Sequence, residues 1–373
     1  MASTLSRLFV VLSFVVGLTV VGSNGQAQTQ KDSEFPGGVS LKGHIHALAT
    51  SQSQDLQSGG SNDSAAIDVN SIQLGLTASP HQSVDASVVW LLENGLNSGA
   101  PGDGFAVDQA YVTISGTRRM LSEGKGRNEL SGSPLYTRVG KFYVPFGTKL
   151  QYHTFDVVSL PQSLQLSETL ESQIMLGYTP SSRLNVFAGL YSGAGPERDD
   201  NQSIDDFYLG ADVQSGIGSV SATWTNNINN SSVLAGELSP AENANGGLSV
   251  YGRATTGPAK FQLQYVSTLD KYTQGNFNNN TPSAITTELT LIDIVNFRDR
   301  SLDFTFIYEV TDGWFDHPET TQGAVVDVPL VEGVTVSTEY VNRDFDPASA
   351  SRLSATDVIS FRLATGFSNL LGQ

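Results

Sequence analysis

The stretch Val84–Glu93, VDASVVWLLE, decides the fold. Its even positions are all apolar, whereas most of its odd positions are polar. Because side chains at i and i+2 share one face of a β-strand, this alternation gives the strand one apolar and one polar face. Ten residues is also the length that a tilted strand needs to cross a bilayer. We therefore predict a membrane-spanning strand with lipid on one face and water on the other.

Segments with the same alternation recur along the whole chain, and they are joined alternately by short turns and long polar loops. This pattern predicts an all-β fold, a transmembrane antiparallel β-barrel of about 16 strands, because bacterial barrels close with an even strand number. A barrel of this size leaves an aqueous channel. The predicted strands lie near residues 39–49, 72–78, 84–93, 109–114, 136–147, 174–178, 184–190, 207–213, 220–224, 248–254, 261–265, 289–291, 302–310, 324–328, 334–343 and 359–367.

The alternative is a soluble β-sandwich or a secreted lectin-like domain, whose strands also alternate apolar and polar residues. It would bury its apolar faces inside, and its strands would be about half as long. Aromatic residues near the predicted strand ends favour the barrel, since such residues form girdles at the bilayer interfaces. These residues are Tyr178, Trp224, Tyr265, Trp314 and Tyr340.

The N-terminus predicts a secretory signal. Arg7 precedes an apolar run over residues 8–21, and small and polar residues follow around Ala27. The alternative of a membrane anchor would need about 18 or more consecutive apolar residues. We therefore expect residues 1–27 to be a cleaved signal peptide and residues 28–373 to form a single barrel domain. This signal, together with the barrel pattern, predicts the outer membrane of a Gram-negative bacterium, with outer-membrane lipid as the surrounding partner.

Composition excludes some functions. The chain has 20 Lys and Arg against 37 Asp and Glu, a formal net charge of -17, and this argues against nucleic acid as a partner. It has no cysteine, so disulfides and thiolate metal sites are excluded. We expect no cofactor.

One insert interrupts the strand pattern after the fifth strand. Residues 140–147, GKFYVPFG, end that strand, because Pro145 removes a backbone donor and Gly147 permits a sharp bend. Residues 148–171 carry several leucines without strand alternation. A long, partly apolar insert is better covered inside the barrel than exposed to water. We predict that it folds into the lumen and constricts the pore.

The insert also carries a resemblance to a known family. Residues 139–147, VGKFYVPFG, and residues 159–169, SLPQSLQLSET, resemble the LbtU-type siderophore porins. Residues 107–112, VDQAYV, resemble a motif on the fourth strand that this family shares with wider trimeric-porin relatives. The similarity extends weakly over the chain from residue 28 onward.

The resemblance implies an outer-membrane channel associated with uptake of iron-chelating small molecules. Two features depart from the family pattern. Leu160-Pro161 stands where the family has an Asp-Pro pair, and residues 367–373 lack the usual terminal aromatic residue. Gated siderophore receptors add a plug domain to a 22-stranded barrel, for which this chain is too short. Transport would therefore be passive or facilitated.

The candidate site residues are cations on the polar faces or at strand ends, together with two residues of the insert motif. Lumen charges tune the selectivity of such pores. Lys141 adjoins the predicted constriction and is the first choice, although a register slip of one residue would turn Arg138 or Phe142 inward instead. The predicted constriction and lumen residues are Lys141, Arg138, Tyr143, Pro145, Lys42, Arg253, Arg343 and Arg362.

Two other chemistries are weaker interpretations. His44 and His46 share a strand face at a spacing compatible with a metal, but no third ligand is near in the sequence, so polar lumen lining is preferred. An outer-membrane phospholipase would need a Ser and a His in contact on neighbouring strands. Only His153 and His317 lie near predicted strand ends, without an identifiable partner, so we predict no enzymatic activity and no metal site.

The sequence therefore leaves three hypotheses for function. The first is a porin for small solutes that include ferric siderophores, and the second is a general diffusion or anion-selective porin without a siderophore role. The third is a purely structural barrel. Analogy with general porins adds a homotrimer as an expected assembly.

Overall fold

The computed structural model describes residues 38–81, 83–93, 106–115, 134–147, 162–192, 204–238, 244–272, 279–297, 300–314, 317–346 and 353–371. The predicted signal segment lies outside these residues, as does His153. Two short helices are described, α1 (Gln162–Ser167) and α2 (Leu234–Glu237). Within the described ranges, no helix has the length and apolar character needed to cross a bilayer.

The described residues also form sixteen strands, and each predicted strand is confirmed. The strands are β1 (Val39–Leu56), β2 (Ser61–His81), β3 (Val84–Glu93), β4 (Ala106–Ser115), β5 (Leu135–Tyr143), β6 (Leu170–Ser181), β7 (Leu184–Ser192), β8 (Ile204–Gln214), β9 (Gly218–Thr225), β10 (Gly247–Thr256), β11 (Ala259–Thr268), β12 (Ser283–Phe297), β13 (Arg300–Asp312), β14 (Thr320–Val331), β15 (Val334–Asp344) and β16 (Leu353–Leu371).

The strands form one closed antiparallel barrel. Every strand pairs with its neighbours in the chain, and β1 closes the ring against β16, from Val39 opposite Leu371 to Leu56 opposite Leu353. Closure leaves no sheet edge and pairs the backbone N–H and C=O groups between strands. This satisfies the condition that a β structure must meet within hydrocarbon.

The two faces of the wall have opposite character. On β13, the outward residues Phe306 and Tyr308 are 47% and 49% exposed, whereas the inward residues Thr305 and Glu309 are each 1% exposed. The exposed large apolar residues recur on the outer face of other strands, for example Leu176 at 60%. A soluble sandwich would show the reverse, so the alternative of a soluble domain is wrong and the outer face is a lipid-facing surface.

The aromatic residues predicted for the interface girdles lie on the outer face with one exception. Tyr178 and Tyr340 are exposed on the outer face, and Trp224 packs edge-on against Phe207 at 5.3 Å between ring centroids. Trp314 was expected in the outer girdle, but it packs against the buried apolar cluster inside the barrel and donates from Nε1 to the Ser283 carbonyl at 3.0 Å. It follows β13 in a loop, where strand alternation no longer sets its direction.

Short turns and long connections mostly alternate between the two rims, as predicted. Two connections break this rule. The β1–β2 connection, residues 57–60, is short although it lies on the rim of the long loops, and the β4–β5 connection, residues 116–134, is long although it lies on the rim of the short turns. At the first exception the strands themselves are long. β1, β2 and β16 have 18, 21 and 19 residues, well beyond the roughly 9–11 that a bilayer requires. Their polar outer ends replace a loop with an extended hairpin.

Candidate solute pathway

The insert between β5 and β6 leaves the wall at Val144. Val144 donates its backbone N–H to the Thr169 carbonyl at 2.8 Å, so the two ends of the insert are held side by side. Pro145 accepts a hydrogen bond at its carbonyl from Thr223 Oγ1 of β9 at 2.7 Å. Gly147 has a φ of 82°, and a Cβ there would lie 2.4 Å from Ser167 Cβ. Only glycine fits both the left-handed backbone and this close approach.

Helix α1 of the insert is anchored on the inner wall by Glu309. The Glu309 carboxylate accepts the backbone N–H groups of Gln162 at 3.0 Å and Ser163 at 3.1 Å, and also the Thr286 hydroxyl at 2.6 Å. A carboxylate at this position satisfies N–H groups that a helix start leaves without intrahelical partners. From β11, Gln264 Nε2 donates to the Ser163 carbonyl at 2.9 Å.

The position of Glu309 shows how far the insert reaches. The insert begins at the end of β5, and Glu309 lies on β13, which is eight strands away in a closed ring of sixteen. Half of the ring separates the two strands in either direction. The chain therefore crosses the lumen to the opposite wall.

A second segment packs against the insert. In the β9–β10 connection, Ser232 donates its backbone N–H to the Glu168 carbonyl at 2.8 Å and its hydroxyl to the Gln165 carbonyl at 3.1 Å. Ile228 and Leu234 of the same connection are fully buried. The sequence predicts this connection as one of the long polar loops. The signal that could have identified its role is the group of apolar residues at 228, 233 and 234.

These segments share a hydrophobic cluster with one side of the barrel. The cluster is unusual because inward strand positions supply aromatic rings where a polar lining was expected; Tyr191 and Tyr208 pack at 6.0 Å between ring centroids. Its buried members are Phe142, Val144, Phe146, Leu166, Met175, Phe187, Tyr191, Tyr208, Ile228, Val233, Leu234, Val266 and Tyr272. The inward faces of β6–β13, which we call the covered arc, are accordingly buried.

Glu168 lies at the centre of these contacts, outside the membrane-spanning strands. Burial raises the pKa of its carboxyl group, and the like charge of Asp108 raises it further, whereas hydrogen bonds with Ser232 and Tyr143 oppose the shift. An acid whose pKa is raised in the packed state binds protons more readily there. Packing of the insert is therefore strongest at low pH and weakens as the pH rises above the ordinary pKa of glutamate through the raised value.

We expect Glu168→Gln to reduce this pH dependence. The amide keeps the size of the side chain but does not ionise, so the fall in insert protection against hydrogen exchange between pH 4.5 and pH 8 should be smaller than in the wild-type protein. In the wild-type protein, protection of residues 162–169 should fall between these two values. Equal pH dependence in both proteins would contradict the role assigned to Glu168.

The structure places the predicted residues of the β5 motif on different faces. Lys141 pairs with Ala110 and Ser172, the register of the lipid-facing residues, and its Nζ donates to the Val107 carbonyl at 3.2 Å. The inward direction expected for Lys141 is therefore wrong. Strand residues alternate, so Arg138 and Lys141 cannot share a face, and pairing of Arg138 with Thr113 and Met175 puts Arg138 inside.

Arg138 is held by aromatic rings. Its guanidinium carbon lies 4.8 Å from the centroid of Tyr111 and 5.2 Å from that of Phe142, and Nε donates to Thr113 Oγ1 at 3.2 Å. Cation–π contact fixes a positive charge without neutralising it. Tyr143 donates its hydroxyl to Asp108 Oδ1 at 3.2 Å, at the outer end of the same strand.

We expect Arg138→Glu to shift the ion selectivity of the protein toward cations, with a clear change of reversal potential in a salt gradient. Lys141→Glu makes the same charge change on the lipid-facing register and serves as the matched control, with little effect expected. A larger shift from Lys141→Glu than from Arg138→Glu would contradict this assignment. Both variants are measured in planar bilayers.

The other predicted cations lie in inward register. Lys42 on β1 is exposed, and Arg253 on β10 donates to Ser219 Oγ at 3.1 Å near the short-turn rim. Arg362 lies 3.6 Å from the Asp327 carboxylate and donates to Ser337 Oγ at 2.9 Å. Arg343 interacts electrostatically with Glu309 and Glu339. Two of these four cations, Arg343 and Arg362, thus interact with carboxylates of the inner wall.

The structure shows the surroundings of histidines considered for a metal site or a phospholipase. His317 packs edge-on against Trp314 at 4.7 Å. The structure brings together a Ser–His pair that sequence analysis missed, Ser71 Oγ and His46 Nδ1 at 3.2 Å, because strand register could not be read from the sequence. Within the described ranges, no group of three or more His, Cys, Asp or Glu side chains is arranged to hold a metal ion.

Known structures resemble this fold closely. The outer membrane channel DcaP of Acinetobacter baumannii is 13% identical, with a TM-score of 0.62 over 91% of this chain and 100% of that chain. The fold is that of the outer-membrane porins. An anion-selective porin from Comamonas acidovorans is 11% identical, with a TM-score of 0.60 over 89% of this chain and 100% of that chain.

A trimer form of OmpT, an outer membrane protein of Vibrio cholerae, is 14% identical, with a TM-score of 0.52 over 89% of this chain and 100% of that chain. At these identities the likeness to porins shows the fold. No protein-family model matches the chain, and no curated protein sequence matches it either.

Proposed function

We propose that this protein is an outer-membrane channel through which small solutes, including ferric siderophores, cross by passive or facilitated diffusion. The observation that carries the proposal is the insert that crosses the lumen of a closed barrel to Glu309 on the opposite wall. A structural barrel has no need of such a crossing. An insert at this place narrows the pore and brings solutes into contact with chosen side chains.

The porin fold supports the same proposal. Its lipid-facing outer surface and polar inner register are those of a barrel in the outer membrane, and DcaP, a structure with the same fold, is an outer membrane channel. A homotrimer is the proposed assembly, supported by the trimer form of OmpT. Crosslinking in intact membranes, followed by size analysis in detergent, tests the assembly.

Two experiments test the function at two levels. The purified protein in a planar bilayer should show discrete conductance steps, and their absence would favour a purely structural barrel. Deletion of the gene should slow growth on a ferric siderophore as the only iron source, with recovery when the gene is restored. Normal growth of the deletion strain, with conductance intact, would leave a channel without a siderophore role.

An anion-selective channel is the second candidate. It is supported by the five predicted cations in inward register, of which Arg138 keeps its charge between aromatic rings. A reversal potential measured in a potassium chloride gradient separates anion selectivity from cation selectivity.

A further inference from the structure

The outer part of β2 is paired on one side only. Residues 61–69 pair with residues 47–55 of β1. Pairing of β2 with β3 begins further along the strand, at Ser71 opposite Glu93. Among the described residues, the other side of residues 61–69 therefore has no neighbouring strand, and we call this side the free edge.

The free edge lies outside the bilayer, on the rim of the long loops. β2 has 21 residues, whereas about 9–11 are enough to cross a bilayer. Residues 61–67 are all exposed, while residues 51–54 of the neighbouring strand β1 are half-buried. The long loops of such barrels face the outside of the cell. The free edge is accordingly accessible to molecules that arrive from the exterior.

The hairpin turn shows which backbone groups point toward the free edge. Leu56 donates its N–H to the Gly60 carbonyl at 3.0 Å. Hydrogen-bonded and non-hydrogen-bonded positions alternate in an antiparallel pair, so the even-numbered residues from 62 to 68 bond to β1. The odd-numbered residues direct their N–H and C=O groups away from β1, and within the described residues these groups have no backbone partner. They are the groups of Ser61, Asp63, Ala65 and Ile67.

The connection between β3 and β4 is too short to cover the whole free edge. Residues 94–105 leave β3 beside Ser71 and must return to β4. A stretch of this length that goes out and back reaches roughly five residues in each direction around a two-residue turn. It could accompany β2 as far as residue 66, which leaves residues 61–65 beyond its reach. Its sequence, NGLNSGAPGDGF, is also rich in glycine, which disfavours strand structure.

The surroundings of the free edge are acidic. The sequence has no Lys or Arg from residue 43 to residue 117. Asp55 and Asp63 are exposed on one face of the hairpin, where Asp63 accepts a hydrogen bond from Ser53 Oγ at 2.8 Å. An added strand with Lys or Arg at alternate positions would place its charges beside these carboxylates.

Charge and symmetry disfavour a second copy of the chain at this edge. Two copies that paired through their free edges would bring the same carboxylates together, and like charges on neighbouring strands are destabilising. Pairing of an edge with itself also needs a two-fold axis, whereas the proposed assembly is a trimer. The edge therefore favours a partner that is different from this chain and opposite in charge.

We propose that the free edge is a docking site for a basic, extended segment of another protein, which adds to β2 as a further strand from outside the cell. In such β-strand addition, backbone hydrogen bonds give affinity and alternate side chains give specificity. The proposal is independent of the channel function, because no group of the lumen takes part in it.

The test is binding of a labelled peptide of alternating valine and lysine residues to the purified full-length protein in nonionic detergent. Fluorescence anisotropy should show saturable binding, and the amides of residues 61–67 should gain protection against hydrogen exchange. A control peptide with proline in place of each valine keeps the charge and the length but cannot pair as a strand. It should bind at least about tenfold more weakly, equivalent to about 1.4 kcal/mol.

Variants of the protein separate the backbone contribution from the charge. Ala65→Pro removes an N–H of the free edge but none that bonds to β1, and should raise the Kd about tenfold, whereas Ala65→Val keeps the N–H and should leave it unchanged. Asp55→Asn/Asp63→Asn should also raise the Kd about tenfold, and it keeps the test valid should Ala65→Pro fail to fold. Asp85→Asn removes a carboxylate near the opposite rim and should have no effect.

The remaining outcomes overturn the proposal. Absence of saturable binding does so, as does equal binding of the two peptides, which would reflect charge attraction alone. Protection of residues 61–67 before peptide is added would mean that the edge is already occupied. Loss of that protection in the monomer would assign the edge to a second copy, and its persistence would assign the edge to residues 94–105.

Discussion

Phe306→Arg is expected to destabilise the barrel by about 2–4 kcal/mol, the cost of an arginine at the lipid face near the bilayer midplane. Phe306 lies in the middle of β13, on the outer face, opposite Leu289 and Ala324 of the neighbouring strands. The guanidinium would meet hydrocarbon there. Equilibrium unfolding in urea, with the protein in lipid bilayers, measures the loss.

Val331→Arg is the matched control for this prediction. Val331 ends β14 next to the short turn to β15, and is 59% exposed. The same substitution near an interface costs only about 0–1 kcal/mol. Equal losses for Phe306→Arg and Val331→Arg would contradict the assignment of a hydrocarbon layer around the middle of the barrel.

Glu309→Ala is expected to release helix α1 from the inner wall. The carboxylate accepts two backbone N–H groups of the insert and the Thr286 hydroxyl. A buried donor left without a partner costs about 1–3 kcal/mol. A loss of about 2 kcal/mol changes the ratio of docked to released insert by roughly 30-fold. Single-channel recordings should show a larger and noisier conductance, because the insert no longer stays against the wall.

Glu288→Ala is the control for the role of Glu309. Glu288 is also a buried inward carboxylate, on the adjacent strand β12, but it accepts a hydrogen bond from Gln262 Nε2 of β11 at 2.7 Å. Its removal should leave the conductance close to the wild-type value. If Glu288→Ala opens the pore as much as Glu309→Ala does, the change reflects the wall and not the anchor of the helix.

The two predictions address separate parts of the molecule. The first tests the lipid-facing outer surface, and the second tests the insert, which is proposed to narrow the pore. The Glu309→Ala variant, if its insert is released, should remain a correctly inserted barrel with a wider pore. This separation keeps the fold and the proposed constriction independently testable.

Much of the architecture was predictable from the residue pattern. Alternation in the stretch Val84–Glu93 predicted one strand to the residue, and the same alternation located all sixteen strands. Strand ends were less accurate. β2 extends back to Ser61, and its first four residues, SNDS, are all polar and carry no alternating signal.

The pathway was only partly predictable. Local sequence indicated that the insert leaves β5 near Pro145, but not that its helix meets Glu309, which lies far along the chain. Arg138 and Lys141 were both candidates, although they occupy opposite faces of one strand. Pairing with β4 and β6 decides between them, and pairing is a property of neighbouring strands.

The amino-acid sequence by itself determined the strands, their number and the two unlike faces of the wall, because side-chain alternation is a local property with a period of two residues. Only the tertiary structure decided which face of each strand points inward at a given residue, which strands meet across the lumen, and which part of the wall stays accessible. Those features depend on closure and register, which join residues distant in the chain.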